Sequence, residues 1–349
     1  MMDIRRKAKH VLNYALKKVP FYNKRKKLYI NKKWGEIPTI TRKELEKYWK
    51  DFLSVDYKNY NLRFRLTTGT SGKPLKVFYN PIYYWQMNLS YFKTLITCGY
   101  NLKKIILHYD PFHPQKYFFQ KLNIYRKIWI NPSLSEKDQL FIISKFSKAY
   151  LSYFPTSLLF LLFENKFYNF PLTNKFYKIF TEGEILLNPI REFIENQFNS
   201  KIIDFYGVVE HGLVAYETDK NFYILPNEVM LLEVVDKNNE QVSEGERGRI
   251  LLTTLGNLAF PLIRYEVDDF CTLEKFDKYC KAISDINRKS LENVLRMKKS
   301  QIKKLVNKGI KNRKKFVIIY DKKNDRFEIT YKKDFLIKKR GKYELIKIV

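Results

Sequence analysis

Apolar residues recur at helical spacing near the start of the chain. Within residues 4–18 they fall on one stripe, and the other positions are mostly basic or polar. The stripe consists of Ile4, Ala8, Val11, Leu12, Ala15 and Leu16. This spacing predicts an amphipathic helix that packs on its own domain, with a position on a membrane surface as the alternative. A second helix is predicted to begin after Thr41, because Glu44 follows three residues later and completes a capping box.

Alternating and short apolar runs predict strands along the rest of the chain. In residues 62–66, apolar side chains alternate with arginines, which is typical of a strand. Further runs of strand length are LKVFY, KKIILHYD, SKIIDFYG, VMLLEVVD and GRILLTTL. Helical patterns such as NPIREFIENQF separate several of these runs. The order predicts an α/β protein with mixed sheets flanked by helices.

The longest apolar run covers residues 149–163 and contains Pro155. A membrane-spanning helix needs about 20 apolar residues, so this shorter run predicts a buried segment. The first residues show no long apolar core that would indicate a signal peptide. Cys98, Cys271 and Cys280 do not form a disulfide framework. Together these observations predict a cytoplasmic protein.

The formal net charge is +30, which raises nucleic acid and anionic membranes as partners. Lysine is spread through the whole chain, and no helix-turn-helix, zinc-finger or RNA-recognition signature is present. We therefore expect no specific nucleic-acid partner, and we keep weak membrane-surface association as an alternative. After Asp269 the composition becomes intensely basic, followed by the strand-like FVIIYD and FEITYKK, which predicts a small α+β subdomain beginning near Ser284.

The segment RLTTGTSGKPLKVFYN, residues 65–80, holds the densest cluster of glycine and hydroxyl residues. It is not a Walker A loop, because two residues rather than four separate its glycines and a strand pattern follows. Glycines still let backbone N–H groups approach phosphate, hydroxyls donate, and lysine supplies charge. The candidate ligands are Thr67, Thr68, Gly69, Thr70, Ser71, Gly72 and Lys73. From composition alone, a simple hairpin turn is the slightly favoured alternative.

Three later segments follow this loop in order. They are FTEGEIL (180–186), DFYGVVEHG (204–212) and GRILLTTLGNLAFPLIRYEVDDF (248–270). With the loop, they resemble the adenylate-forming, acyl-activating superfamily, and most closely its branch of phenylacetate–CoA ligases and CapK-like capsular polysaccharide proteins. The resemblance covers residues 14 to about 296. It implies activation of a small carboxylic acid by ATP to an acyl-adenylate, with coenzyme A as a possible acceptor. It also implies a large adenylation domain, residues 1–285, and a shortened C-terminal lid, residues 286–349.

The resemblance also implies roles for individual residues. Gly183 and Glu184 match the segment that lines the adenine pocket, for which a helix-flanking turn is the alternative. Tyr206 and Gly207 match the segment whose aromatic ring packs near adenine. Glu210 matches the acid that binds Mg²⁺ between the phosphates, a role that suits a carboxylate after a strand end.

The remaining implied roles concern the ribose, the hinge and the lid. Asp269 matches the acid that accepts hydrogen bonds from the ribose hydroxyls, and Arg264 is expected to contact phosphate or to orient Asp269. Arg288 resembles the arginine of the family's hinge segment. Lys342 resembles the lid lysine that stabilises charge developing at the α-phosphate, although the C-terminal region holds many other lysines.

Several positions depart from the family's pattern. Val209 stands where a hydroxyl residue is usual, Asp268 where glycine is usual, and Asn287 where the hinge has glycine. With the short lid, these departures favour adenylation over thioester formation. They leave a catalytically degenerate, nucleotide-binding accessory protein of polysaccharide assembly as the alternative. His108, Asp110 and His113 give only a weak metal-site pattern, and the cysteines lack zinc-site spacing.

Overall fold

The computed structural model describes residues 4–67, 74–110, 118–172, 176–218, 222–226, 229–275, 281–288, 299–321, 324, 326–336, 338–339 and 342–348. The residue contacts divide the chain into two compact units. Unit 1 consists of residues 1–94 and 206–292, and unit 2 consists of residues 95–205 and 293–349. The C-terminal residues thus group with the middle of the chain, and their boundary falls after Glu292. The division into 1–285 and 286–349 stays a prediction.

Unit 1 begins with helices and continues into antiparallel strands. Its helices are α1 (Ile4–Lys18), α2 (Pro20–Asn23), α3 (Arg42–Tyr48) and most of α4 (Pro81–Thr97). Its first strands, β1 (Arg63–Leu66) and β2 (Lys76–Tyr79), form an antiparallel pair on either side of residues 67–75. The larger sheet has the order β10-β11-β12-β13-β9-β8. Its strands are β8 (Gly212–Glu217), β9 (Tyr223–Ile224), β10 (Met230–Val235), β11 (Arg247–Thr254), β12 (Tyr265–Lys275) and β13 (Lys281–Arg288).

Both local helix predictions in unit 1 are confirmed. Helix α1 buries Ala8, Val11, Leu12, Ala15 and Leu16 in the core, as the apolar stripe requires. At the start of α3, the Glu44 carboxylate accepts from the Thr41 backbone N–H at 2.9 Å, and the Glu44 backbone N–H donates to the Thr41 hydroxyl. This reciprocal cap satisfies N–H groups that a helix start leaves without partners.

Unit 2 contains a parallel sheet in the order β7-β6-β5-β3-β4. Its strands are β3 (Ile106–Tyr109), β4 (Lys127–Ile130), β5 (Tyr150–Tyr153), β6 (Ile179–Glu182) and β7 (Ile202–Val208), whose last three residues belong to unit 1. The helices among them are α5 (Glu136–Ser144), α6 (Pro155–Tyr168) and α7 (Asn188–Phe198). Parallel strands alternating with helices are the α/β arrangement that the sequence predicts.

The apolar run at residues 149–163 is buried, as predicted. It forms strand β5 and the first half of helix α6, which begins at Pro155 because proline suits the first turn of a helix. In the parts of the chain that the structure describes, no helix is long and apolar enough to cross a membrane.

The C-terminal part of unit 2 has an α+β arrangement of its own. Helix α8 (Lys299–Asn312) precedes a sheet in the order β15-β14-β18, made of β14 (Val317–Asp321), β15 (Arg326–Thr330) and β18 (Ile346–Ile348). The short strands β16 (Lys338–Lys339) and β17 (Lys342–Tyr343) pair with each other and carry the predicted lid lysine. The predicted α/β fold with a small α+β C-terminal part is confirmed.

Candidate functional site

The glycine-rich loop is described at its two ends. The Thr67 backbone N–H donates to the Leu75 carbonyl at 3.0 Å, and the Leu75 N–H donates to the Thr67 hydroxyl at 3.0 Å. These bonds extend the β1–β2 ladder and fix the two chain ends side by side. Thr68, Gly69, Thr70, Ser71, Gly72 and Lys73 lie outside the described residues. Their predicted phosphate contacts therefore stay predictions.

Glu210 lies in the turn between β7 and β8 and is 8% exposed. Its Oε1 atom accepts hydrogen bonds from the Arg42 guanidinium and from the Tyr265 hydroxyl, both at 3.0 Å. Burial, together with the charge of Glu210, raises the pKa of Tyr265 far above its ordinary value, so this hydroxyl stays a donor. The carboxylate is thus held by one cation and one neutral donor in a largely water-free position.

Arg42 links Glu210 to the glycine-rich loop. Its Nη1 atom contacts Glu210, and its Nη2 atom donates to the Thr67 hydroxyl at 2.8 Å. A third nitrogen, Nε, contacts Glu46 at 2.7 Å, so the guanidinium is fixed on three sides. Our reading of the sequence missed Arg42. The local sequence places Arg42 at the start of the capped helix α3, but it does not reveal that Glu210, 168 residues later, is its partner.

Tyr206 and Asp269 also come together in unit 1. The Tyr206 hydroxyl donates to Asp269 Oδ2 at 2.7 Å, and burial, with the Asp269 charge, raises the pKa of Tyr206 well above its ordinary value. Strand pairing places Arg288 directly opposite Asp269, so the two positions are cross-strand neighbours in the backbone. The adjacent Asp268 is exposed and has a left-handed backbone conformation, with φ of 61°.

Arg264 lies in the core of unit 1. Its side chain is fully buried, and its guanidinium donates to the carbonyls of Gly35, Ile37 and Asn239 at 2.6–2.9 Å. Its Nε atom lies 3.3 Å from Glu233 Oε1. These contacts use the guanidinium to join distant segments of unit 1. Arg264 thus has a role in the fold, and its expected contact with phosphate or with Asp269 stays a prediction.

The turn around Gly207 and Glu210 is closely packed. A Cβ atom at Gly207 would lie 3.0 Å from the Gly212 carbonyl oxygen, so the backbone approach favours glycine. The Val209 carbonyl accepts from the Tyr79 hydroxyl, which ties this turn to strand β2. His211 is fully buried, and burial lowers its pKa to about 3, which keeps the ring neutral.

In unit 2, Gly183 and Glu184 follow strand β6. Gly183 has φ of +78°, a conformation that glycine adopts without strain. Glu184 Oε2 accepts from the Thr156 backbone N–H at 2.8 Å, at the start of helix α6, where the helix dipole favours an anion. Burial raises the pKa of Glu184, and the hydrogen bond from Thr156 and the charge of Lys342 oppose that rise.

Lys342 lies against the same turn of unit 2. Its Nζ atom donates to the Gly183 carbonyl at 3.0 Å and lies 4.7 Å from the centre of the Phe154 ring. The next residue, Tyr343, donates its backbone N–H to Glu184 Oε1 at 3.1 Å. A Cβ atom at Gly183 would approach Lys342 Nζ to 2.4 Å. The Gly183–Glu184 segment and Lys342, which the sequence analysis selected separately, are therefore neighbours.

The other metal candidates stay weak. His108 Nε2 lies 3.3 Å from Asp110 Oδ2, and His113 is outside the described residues. Among the residues that the structure describes, no group of three or more His, Cys, Asp or Glu side chains could hold a metal ion. A single carboxylate such as Glu210 still suits Mg²⁺, which binds one or two carboxylates and completes its shell with phosphate oxygens and water.

The fold is similar to solved structures of 2-hydroxyisobutyryl-CoA ligase. The alignment with the structure in the postadenylation state, in complex with 2-HIB-AMP, covers 99% of this chain and 85% of the ligase chain. The identity is 13% and the TM-score is 0.73. The thioesterification state with 2-HIB-AMP and CoA has the same coverage, 14% identity and a TM-score of 0.69. The alignment with the open conformation covers 77% of this chain and 68% of the ligase chain, with 15% identity and a TM-score of 0.66.

At these identities the likeness shows a shared fold. No protein-family model matches the chain, and no curated protein matches it at a significant level.

Proposed function

We propose that this chain is an adenylate-forming ligase that activates a carboxylic acid with ATP and then forms a thioester with coenzyme A. Support comes first from the fold, which is similar to a ligase whose structures hold an acyl-adenylate and CoA. The observation that carries the proposal is in unit 1. There Glu210 is joined through Arg42 to Thr67, at the base of the glycine-rich loop.

The proposed reaction has two balanced steps. An oxygen of the substrate carboxylate attacks the α-phosphorus of ATP, and the bond to the bridging oxygen breaks, releasing pyrophosphate. The thiolate sulfur of coenzyme A then attacks the acyl carbonyl, and AMP leaves with the bonding electrons. Pyrophosphate departs as a polyanion, so cationic and N–H groups near the phosphates stabilise the first step.

Glu210 is the residue that would hold Mg²⁺. When bound, the ion neutralises charge on the phosphate oxygens. Arg42 keeps the carboxylate in place, and its second contact, to Thr67, sets the distance between that carboxylate and the start of the loop. Arg42 is therefore a positioning residue in this proposal, acting through Glu210 and Thr67.

Asp269 is the residue that would accept hydrogen bonds from the ribose hydroxyls. Its Oδ2 atom already accepts from Tyr206, which fixes the direction in which the carboxylate points. Of the two adjacent acids, Asp269 is the better candidate for the ribose contact, because Tyr206 holds it in place whereas Asp268 is exposed. Lys342 would stabilise charge at the α-phosphate, and its present contact with the Gly183 carbonyl supports a place beside the predicted adenine segment.

The finer assignment belongs to the same proposal. The order of the four sequence segments favours a phenylacetate–CoA ligase-like or CapK-like member that serves surface polysaccharide assembly. The second candidate is a nucleotide-binding accessory protein without turnover. One observation favours it: Glu210 already has a cationic partner, Arg42, which balances its charge before any Mg²⁺ binds.

The test is ATP–pyrophosphate exchange with a panel of aromatic, hydroxy and sugar-derived acids, followed by the Glu210→Gln variant. We expect exchange with at least one acid, and a rise of about tenfold or more in the Mg²⁺ concentration for half-maximal rate in the variant. Glu266→Gln is the matched control, because Glu266 is another buried glutamate paired with an arginine, Arg249, at 2.7 Å.

The control variant should keep the wild-type Mg²⁺ dependence. Nucleotide binding without exchange on any acid would favour the accessory protein. Unchanged Mg²⁺ dependence in Glu210→Gln would remove Glu210 from the metal site.

A further inference from the structure

Residues 24–33, KRKKLYINKK, form an unusual surface segment of unit 1. The segment contains six Lys and Arg residues and no acid. The absence of acids extends over residues 4–33, which hold twelve basic residues, although the chain as a whole carries 36 Asp and Glu. Lys26, Lys27 and Lys32 are exposed, and no carboxylate among the described residues forms an ion pair with them. The segment thus keeps most of its positive charge.

Two large aliphatic side chains are exposed within the same segment. Leu28 is 52% exposed and Ile30 is 40% exposed, while Tyr29 between them is 4% exposed. The Tyr29 ring packs edge-on against Tyr22 in the core, with centroids 5.6 Å apart. Tyr29 therefore anchors the segment, and its two neighbours project into solvent.

The backbone of this segment is well defined by its own hydrogen bonds. The Leu28 N–H donates to the Arg25 carbonyl at 2.9 Å, and the Ile30 N–H donates to the Lys26 carbonyl at 3.1 Å. The Arg25 side chain faces inward, with its guanidinium 4.1 Å from the Phe21 ring centre. A compact turn thus presents lysines and two aliphatic side chains without needing to refold.

We propose that residues 24–33 dock on the face of an anionic lipid bilayer. Lipid phosphates match the unpaired lysines, and the boundary between headgroups and acyl chains accepts Leu28 and Ile30. A nucleic acid would satisfy the lysines but would leave both aliphatic side chains in water. The two signals together, charge and apolar insertion, give a reversible membrane contact. This surface goes beyond the proposed reaction and does not depend on it.

The chain provides its own charge-matched control in unit 2. Helix α8 exposes Lys303, Lys304, Lys308 and Lys311 and contains no acid, so it is a second basic surface. None of the exposed large apolar residues that the structure describes lies in that helix. If positive charge alone drove binding, both surfaces would contribute equally.

The experiment is sedimentation of the full chain with vesicles of phosphatidylcholine alone or with one third phosphatidylglycerol. It is run at about 0.1 M and about 1 M salt, where the Debye length is about 10 Å and 3 Å. We expect binding only to the anionic vesicles at the lower salt. Lys26→Glu/Lys27→Glu should lower the partition coefficient by at least about tenfold. Leu28→Ser/Ile30→Ser should lower it by a similar factor.

The control pair Lys308→Glu/Lys311→Glu should change the partition coefficient by less than about twofold. A duplex RNA, which is also a polyanion, serves as the competing ligand. The Leu28→Ser/Ile30→Ser variant should bind this RNA as tightly as the wild type does. An equal loss in the α8 control would overturn the proposal, as would wild-type vesicle binding by Leu28→Ser/Ile30→Ser. Binding to RNA without binding to anionic vesicles would overturn it in favour of a nucleic-acid surface.

Discussion

Replacing Arg264 separates a structural from a nucleotide-binding role for this arginine. Arg264→Met keeps much of the side-chain length but removes the charge and every donor. The variant would remove the guanidinium that donates to the carbonyls of Gly35, Ile37 and Asn239 and that lies 3.3 Å from Glu233. Burial already raises the pKa of Glu233, and the Arg264 charge opposes that rise. Without Arg264, the buried carboxylate must lose its charge or draw in water.

The size of the effect follows from the burial of both partners. Arg264 is fully buried and the Glu233 side chain is 9% exposed, so water does little to screen the broken pair. Removing one member of a buried pair costs about 3–5 kcal/mol in free energy of unfolding. Glu233→Gln should cost less, about 1–3 kcal/mol, because the guanidinium keeps its three carbonyl acceptors. The double variant should show a coupling energy of about 0.5–3 kcal/mol.

Urea unfolding followed by tryptophan fluorescence measures these losses, with ATP binding measured by calorimetry on folded protein. We expect Arg264→Met to lower the urea midpoint strongly while changing the ATP dissociation constant by less than about twofold. A variant with the wild-type midpoint and weakened ATP binding would refute the reasoning. It would return Arg264 to the phosphate contacts that the sequence resemblance suggests.

Three further predictions concern the proposed site. Tyr206→Phe removes the hydroxyl that orients Asp269. Calorimetry should show ATP binding weakened by about 0.5–1.5 kcal/mol, and the free energy of unfolding should fall by no more than the same amount. Asp269→Ala should weaken ATP binding by about 1.5–3 kcal/mol, whereas Asp268→Ala should be near neutral; the reverse order would place the ribose acid one residue earlier. Lys342→Ala should lower the adenylation rate by about 10²–10³ with little change in ATP affinity, and equal rates would support the accessory-protein alternative.

The parts of the fold that the sequence predicted depend on neighbours along the chain. The stripe in residues 4–18 needs only the helical period, and the cap at Thr41 needs only a glutamate three residues later. The burial of residues 149–163 could be predicted because the run is too short to span a membrane and Pro155 fits a helix start. In each case the interacting residues are close together in the chain, so the local sequence pattern is enough to predict the element.

The contacts that the sequence did not predict join distant segments. Arg264 was expected to contact phosphate or to orient Asp269. Its observed acceptors, the carbonyls of Gly35 and Ile37, lie more than two hundred residues away in the chain. Arg42 was overlooked for the same reason, since its partner Glu210 is 168 residues later. An arginine looks the same in a sequence whether its guanidinium faces solvent or backbone carbonyls. Only the packing of the chain decides between them.

The pairing of Arg42 with Glu210 sets a specific condition on the proposed metal site. Both hydrogen bonds to the carboxylate fall on Oε1, one from Arg42 and one from Tyr265. Glu210 could therefore offer Oε2 to a ligand while both of these bonds keep the carboxylate in its orientation. Glu210 would be the carboxylate that holds Mg²⁺, an ion that usually completes its shell with phosphate oxygens and water. Arg42 would keep its bond to Thr67, at the base of the glycine-rich loop, and its charge would add to that of the ion.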